Sequence, residues 1–125
     1  GEPVMVESNQ PIMPSTSAPV SVNSAKYVEV FKWNADPNRK VYIRDISIVV
    51  SAVTTHPTFI IQINGEDKLK DFETLATSFS FGFGDHLVFR GHEKKPTIRV
   101  LAKNDASAGV NVTVAVHGVE EPMNG

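Results

Sequence analysis

The sequence has no cysteine. That excludes thiol catalysis, disulfide staples and any cysteine-ligated zinc or iron–sulfur site. It also has no apolar run near the roughly 18 residues that a membrane-spanning helix requires. The densest run, Ile46-Ser47-Ile48-Val49-Val50, has the size of a strand, and no membrane partner is expected. Charge of one sign is lacking too. Twelve Lys and Arg against 14 Asp and Glu leave a net charge of −2, which gives no global attraction for nucleic acid. No stretch carries the apolar spacing of an amphipathic helix. No basic segment followed by an apolar core opens the chain, so no secretory signal is expected.

What is present is alternation. In residues 97–118, Ile98 and Val100 flank Arg99, and Val110, Val112, Val114 and Val116 alternate with Asn111, Thr113 and Ala115. An apolar residue at every second position lines one face of a pleated strand. Between the two runs, Asn104-Asp105-Ala106-Ser107-Ala108-Gly109 is rich in turn-tolerant residues. The pattern predicts a long antiparallel hairpin whose apolar face a second sheet must cover. With 125 residues the chain is long enough for a single core without staples.

Along the chain, residues 1–25 hold Pro3, Pro11, Pro14 and Pro19, which oppose a helix and a central strand. Yet Val4, Met5, Val6, Ile12, Met13, Val20 and Val22 are too apolar for a plain solvated linker. The segment reads either as a loose terminus or as an extended N-terminal arm that orders against a partner. Residues 26–119 read as the β-sandwich domain and residues 120–125 as an acidic C-terminal tail. Within the domain, Phe31 and Trp33 share a strand face with Tyr27 and Glu29. In residues 40–53, Val41 and Ile43 share one parity and Ile46, Ile48 and Val50 the other, the mark of a β-bulge near Arg44 and Asp45 or of a strand changing sheets. Asn64-Gly65 is a tight-turn signal. Phe79, Phe81 and Phe83 align, and Gly82, Gly84 and Asp85 are expected to turn the chain into residues 86–90. The whole reads as an all-β, antiparallel sandwich or jelly-roll-like fold of about eight strands.

Candidate chemistry is thin. His56, His86, His92 and His117 form no HxH or HExxH pattern, so isolated histidines outweigh a metal site. Asp85-His86 lacks a nucleophile elbow for a Ser/His/Asp relay. The glycines of residues 79–85 lack the GxGxxG spacing and the following helix of a phosphate loop. No catalytic residue, cofactor or metal is expected. Trp33, Tyr27 and Tyr42 have the chemistry of a sugar platform, but sandwich packing explains them more simply. Asn111-Val112-Thr113 matches a glycosylation acceptor but sits inside a strand pattern. Arg90, Lys94, Lys95 and Arg99 make the densest basic cluster. It reads as a solvated rim, or as a contact for the acids at a neighbour's ends, Glu2 and Glu7 or Glu120 and Glu121.

The layout of a short all-β body, a Pro/Ser/Thr arm, no cysteine and the terminal segment Thr97–Gly118 resembles the capsid decoration (cementing) proteins of tailed bacteriophages. The resemblance implies a non-enzymatic protein on the outer surface of a virion, made in the host cytoplasm during assembly. It implies the major capsid protein and further copies of the chain, as a trimer, for partners, with the arm clamping neighbouring capsid subunits. On that view, deletion of residues 1–25 leaves the body folded. The alternative is a carbohydrate- or receptor-binding sandwich module.

The alternation makes one prediction that needs no coordinates. Val114→Asp buries a carboxylate without compensation, and the variant is expected to lose its cooperative thermal transition.

Overall fold

The computed structural model describes residues 10–16, 20–51, 57–73, 76–90, 96–104 and 108–122, the side chains of residues 85–87 excepted. Nine strands follow one another: β1 (Gln10–Ile12), β2 (Val20–Val22), β3 (Val28–Asn34), β4 (Arg39–Val50), β5 (Thr58–Ile63), β6 (Glu66–Glu73), β7 (Ser78–Phe89), β8 (Thr97–Lys103) and β9 (Val110–Pro122). They form two antiparallel sheets. The first runs β1–β9–β4–β7, with β2 also on β9, and the second runs β3–β8–β5–β6. There is no helix among the described residues.

The pairing is nested. β1 and β2 both lie on the same flank of β9, as two pieces of one interrupted strand. Between them Ser15 bridges to Ala115, the Thr16 amide donates to Val114, and the Val116 amide donates to Pro14. Taken as one, this first strand pairs with the last, β3 with β8, β4 with β7 and β5 with β6. The result is a long antiparallel ribbon that closes at Asn64-Gly65. Wrapping the ribbon then sets β9 beside β4 and β8 beside β5, which is the strand order of a jelly roll. The closing turn has φ of 52° at Asn64 and 84° at Gly65. Positive φ at both central residues belongs to the tight turn whose twist matches the flanking strands.

Alternation supplies the core. Val110, Val112, Val114 and Val116 of β9 face Ile98, Val100 and Ala102 of β8 across the sandwich, all nearly or wholly buried. The expected hairpin is therefore corrected. β8 and β9 belong to different sheets, and each covers the apolar face of the other. Two apolar strands joined by a turn can pair edge to edge or stack face to face, and alternation alone is the same for both.

The break of parity in β4 is a bulge. Ile43 pairs with Gly118 and Asp45 with His117, so Arg44 is extra. The added residue turns both halves inward, and Val41, Ile43, Ile46, Ile48 and Val50 are all buried. A second bulge in β3 brings the neighbours Val30 and Phe31 inward together, against the simple alternation expected there. The glycines of β7 do not turn the chain. β7 is continuous, and the step from Ile43 to Asp45 on β4 is matched by Leu87 to Gly82 on β7, so four residues of β7 stand opposite the single Arg44.

Both ends of the chain are more deeply involved than their composition indicates. Residues 10–16 and 20–22 lie along β9 rather than apart from the domain. Glu120 and Glu121, expected in a tail, lie within β9. Arg39 approaches Glu120 at 3.4 Å, and the Tyr42 hydroxyl donates to Glu121 at 2.8 Å. Asn104 is 1% exposed and ties three segments together. Its side-chain amide donates to the carbonyls of Val22 and Ala108 at 3.0 and 2.9 Å, and its backbone N–H donates to Ser24.

Gly118 sits opposite the β4 bulge and between β4 and β1. A Cβ placed there would lie 2.1 Å from the Tyr42 carbonyl oxygen and 3.2 Å from the Ile43 Cα. Backbone cannot swing aside as a side chain can, so strand separation is the only relief. Gly118→Ala is expected to cost about 1–3 kcal/mol, read from the midpoint of urea unfolding.

Candidate functional site

The polar side chains with chemical potential gather on the outer face of the first sheet. Asp45 and Ser47 of β4, His117 of β9 and Ser80 of β7 are brought together by the registers Asp45↔His117 and Ser47↔Ser80. His117 Nδ1 lies 2.6 Å from Asp45 Oδ1 and 3.5 Å from Ser47 Oγ. Ser47 and Ser80 hydroxyls are 3.3 Å apart, and Arg44 Nε is 3.3 Å from the other Asp45 oxygen. These residue types are those of a hydrolytic relay, but the connectivity is not. A carboxylate oxygen accepts, so Nδ1 carries the hydrogen that Asp45 receives. A relay needs the carboxylate on one ring nitrogen and the nucleophile on the other. Here both meet the same protonated nitrogen, which cannot take a proton from Ser47.

The second sheet's outer face is a polar lattice. Arg99 Nε donates to Glu29 at 2.9 Å, its Nη1 to Gln62 at 3.0 Å, and Gln62 in turn donates to Asp67. Of the expected basic rim, Arg99 is thus engaged within this lattice. Arg90 is exposed beyond the end of β7, and Lys94 and Lys95 lie outside the described residues. At one end of this face Tyr27 donates to Asp71 at 2.6 Å, and the Lys103 ammonium sits 5.0 Å from its ring centre. Burial first, then the hydrogen bond and charge of Asp71, push the Tyr27 phenol well above its usual range.

The expected contact residues of the arm divide. Val22 is 1% exposed and part of the core, so it is not available to a partner while the sheet is intact. Ile12 and Val20 are half-buried and pack against that core, whereas Met13 is 65% exposed. Val4, Met5 and Val6 lie outside the described residues, as do His56 and His92; the side chains of Asp85 and His86 also fall outside them. The signal for Val22 was its period-two relation to Val20 across Ser21. The Asp45–His117 pair carried no local signal, because the two are joined only by register.

A cleft of about 330 Å³ opens between the first strand and β3, lined by Ser15, Thr16, Val20, Val30, Phe31 and Lys32 among others. A second, of about 60 Å³, lies beside the β4 bulge among Tyr42, Arg44, Gly118 and Val119. The larger also holds Glu29, so two hydroxyls, a carboxylate and an ammonium share it, with Glu29 held by Arg99 at 2.9 Å; the smaller has no carboxylate in its lining. Among the described residues, no group of three His, Asp or Glu is placed to hold a metal.

The fold is shared with proteins of virus particles. The chain is similar to a structure of infectious bursal disease virus Gx strain, with TM-score 0.53 and 8% identity over 94% of this chain and 33% of that one. It is similar to the infectious bursal disease virus VP2 subviral particle, with TM-score 0.53 and 11% identity over 94% and 34% of the two chains. A third match is the T13 particle of the same virus, at 0.51 and 11% over 90% and 31%. The chain spans about a third of each of these proteins. At such identities the likeness is one of fold, a viral capsid-type jelly roll. No protein-family model and no curated protein matches the chain in sequence.

Tyr27 offers a pH test of the second sheet's outer face. A phenol raised above its unfolded value near 10 contributes stability in full below about pH 10, and loses it as pH climbs through the raised value. Tyr27→Phe is expected to be less stable than the parent at neutral pH and to lose less stability under alkali, compared by urea midpoints.

Proposed function

We propose that the chain is a non-enzymatic structural protein of a virus particle, which decorates the shell and clamps neighbouring capsid subunits. The observation that supports this most strongly is the jelly-roll order shared over 94% of the chain with virus-particle proteins. The partners of this reading are the major capsid protein and further copies of the chain, three about a three-fold position, on the outer surface of the virion.

The clamp is narrower than composition alone indicates. β1 and β2 are used by the jelly roll itself, so the gripping segment is residues 1–9, with Val4, Met5 and Val6 as its apolar contacts and exposed Met13 at its margin. Each such side chain contributes about 1.5–3 kcal/mol when fully buried, before ordering costs. Several copies on one oligomer multiply a weak single contact. The carbohydrate-binding alternative lacks a bare aromatic platform among the three candidates: Trp33 packs against the core, Lys103 lies over Tyr27, and Lys40 lies over Tyr42.

Two truncations separate fold from function. Deletion of residues 1–9 is expected to leave the melting temperature nearly unchanged and to reduce co-sedimentation with shells of the major capsid protein at least tenfold. Deletion of residues 1–25 removes the jelly roll's first strand and is expected to destabilise the body. Undiminished binding after the shorter deletion contradicts the clamp.

A further inference from the structure

A sandwich with two open sheets has four strand edges, and unpaired edges invite other strands. Three are guarded here, each differently. The β1–β2 edge carries Pro11 and Pro14, which lack backbone donors. The β3 edge is bulged at Val30 and carries Glu29 and Lys32. The β6 edge, Glu66–Glu73, carries six charges in eight residues and two register shifts. β7 differs. From Ser78 to Gly84 it has no charge and no proline, and among the described residues only β4 pairs with it.

The direction of its free groups follows from one bond. The Val50 amide donates to the Thr77 carbonyl at 2.8 Å, so Thr77 points its polar groups at β4. Strand alternation directs those of Phe79 and Phe81 the same way and those of Ser78, Ser80 and Gly82 outward. On the core side, Phe79, Phe81 and Phe83 are only half-buried. Phe72 and Phe79 lie 4.8 Å apart and Phe81 and Phe83 5.2 Å apart, in an aromatic row along the open flank.

We propose that this edge is an interface with a second copy of the chain, β7 against β7 about a two-fold axis. The segment Ser-Phe-Ser-Phe-Gly-Phe-Gly is self-complementary when run antiparallel to itself about Phe81. Phe81 then faces Phe81, Phe79 faces Phe83, Ser80 faces Gly82 and Ser78 faces Gly84. Every ring meets a ring on one face, every small residue a small one on the other, and no charge is brought opposite a like charge. The outward groups of Ser80 and Gly82 exchange the hydrogen bonds they otherwise leave to water, and the two first sheets become one continuous sheet. An isologous contact of this kind closes at two copies. It adds to, and does not depend on, any three-fold contact or shell attachment.

Ser80→Pro tests it selectively. Proline removes the N–H that faces away from β4 and is tolerated at such an edge position, so the β4 ladder survives. Ser80→Lys places a charge on the same edge without altering the backbone. In sedimentation equilibrium the parent is expected to contain an even number of chains, and each variant half that number, with a cooperative melt retained. A parent with one or three chains overturns the proposal. So does a folded variant of either kind whose mass equals the parent's. If Ser80→Pro fails to fold, Ser80→Lys alone decides by the same masses.

Discussion

Everything in this fold depends on the pairing of β4 with β9. These are the two inner strands of the first sheet, joined from Arg39↔Pro122 to Val50↔Val112. β9 carries the chain's first strand on its other flank, and β4 carries β7. The register between them is interrupted once, where Arg44 is extra and Gly118 makes room. Without the bulge, the parity of β4 would send either Val41 and Ile43 or Ile46, Ile48 and Val50 to solvent. A one-residue slip inverts every later side chain, so a single extra residue keeps one strand's two halves in one core. The close backbone approach at Gly118 is the local condition for it.

The same arrangement fills the interior with apolar side chains and leaves the polar ones to the surface. The interior is filled by Val, Ile and Phe, and Asn104 is the one buried polar side chain among the described residues. The side chains able to do chemistry are spread over two flat outer faces, where neighbouring strands satisfy them. His117 is bound by Asp45, Arg99 by Glu29 and Gln62, and Tyr27 by Asp71. Edges and chain termini do recruit other chains, which is the physical basis of the proposed role in assembly.

Much of this was legible in the residues. The alternation in β9, the parity break at Arg44 and the Asn64-Gly65 turn each have a local cause, and each is found where its cause lies. Sheet membership was not legible. β8 and β9 are joined by a turn-rich loop that suits pairing and stacking equally, and only the wrap of the whole ribbon decides. Pro11, Pro14 and Pro19 interrupt the first strand and give it the composition of an arm. Yet an edge strand needs donors on one side only, and β9 supplies what pairing there is. The glycines of β7 suit a turn and an interrupted ladder equally, so local composition does not separate the two. The outer-face cluster at His117 arises from register, which no stretch of sequence contains.

The measurement that bears most directly on the structural role is a cryo-electron-microscopy reconstruction of virus particles assembled with this chain present. The account predicts a jelly roll on the outer surface, with β1 and β2 along their own β9 and residues 1–9 crossing onto a neighbouring capsid subunit. Particles that assemble and remain stable with no density for the chain would contradict it.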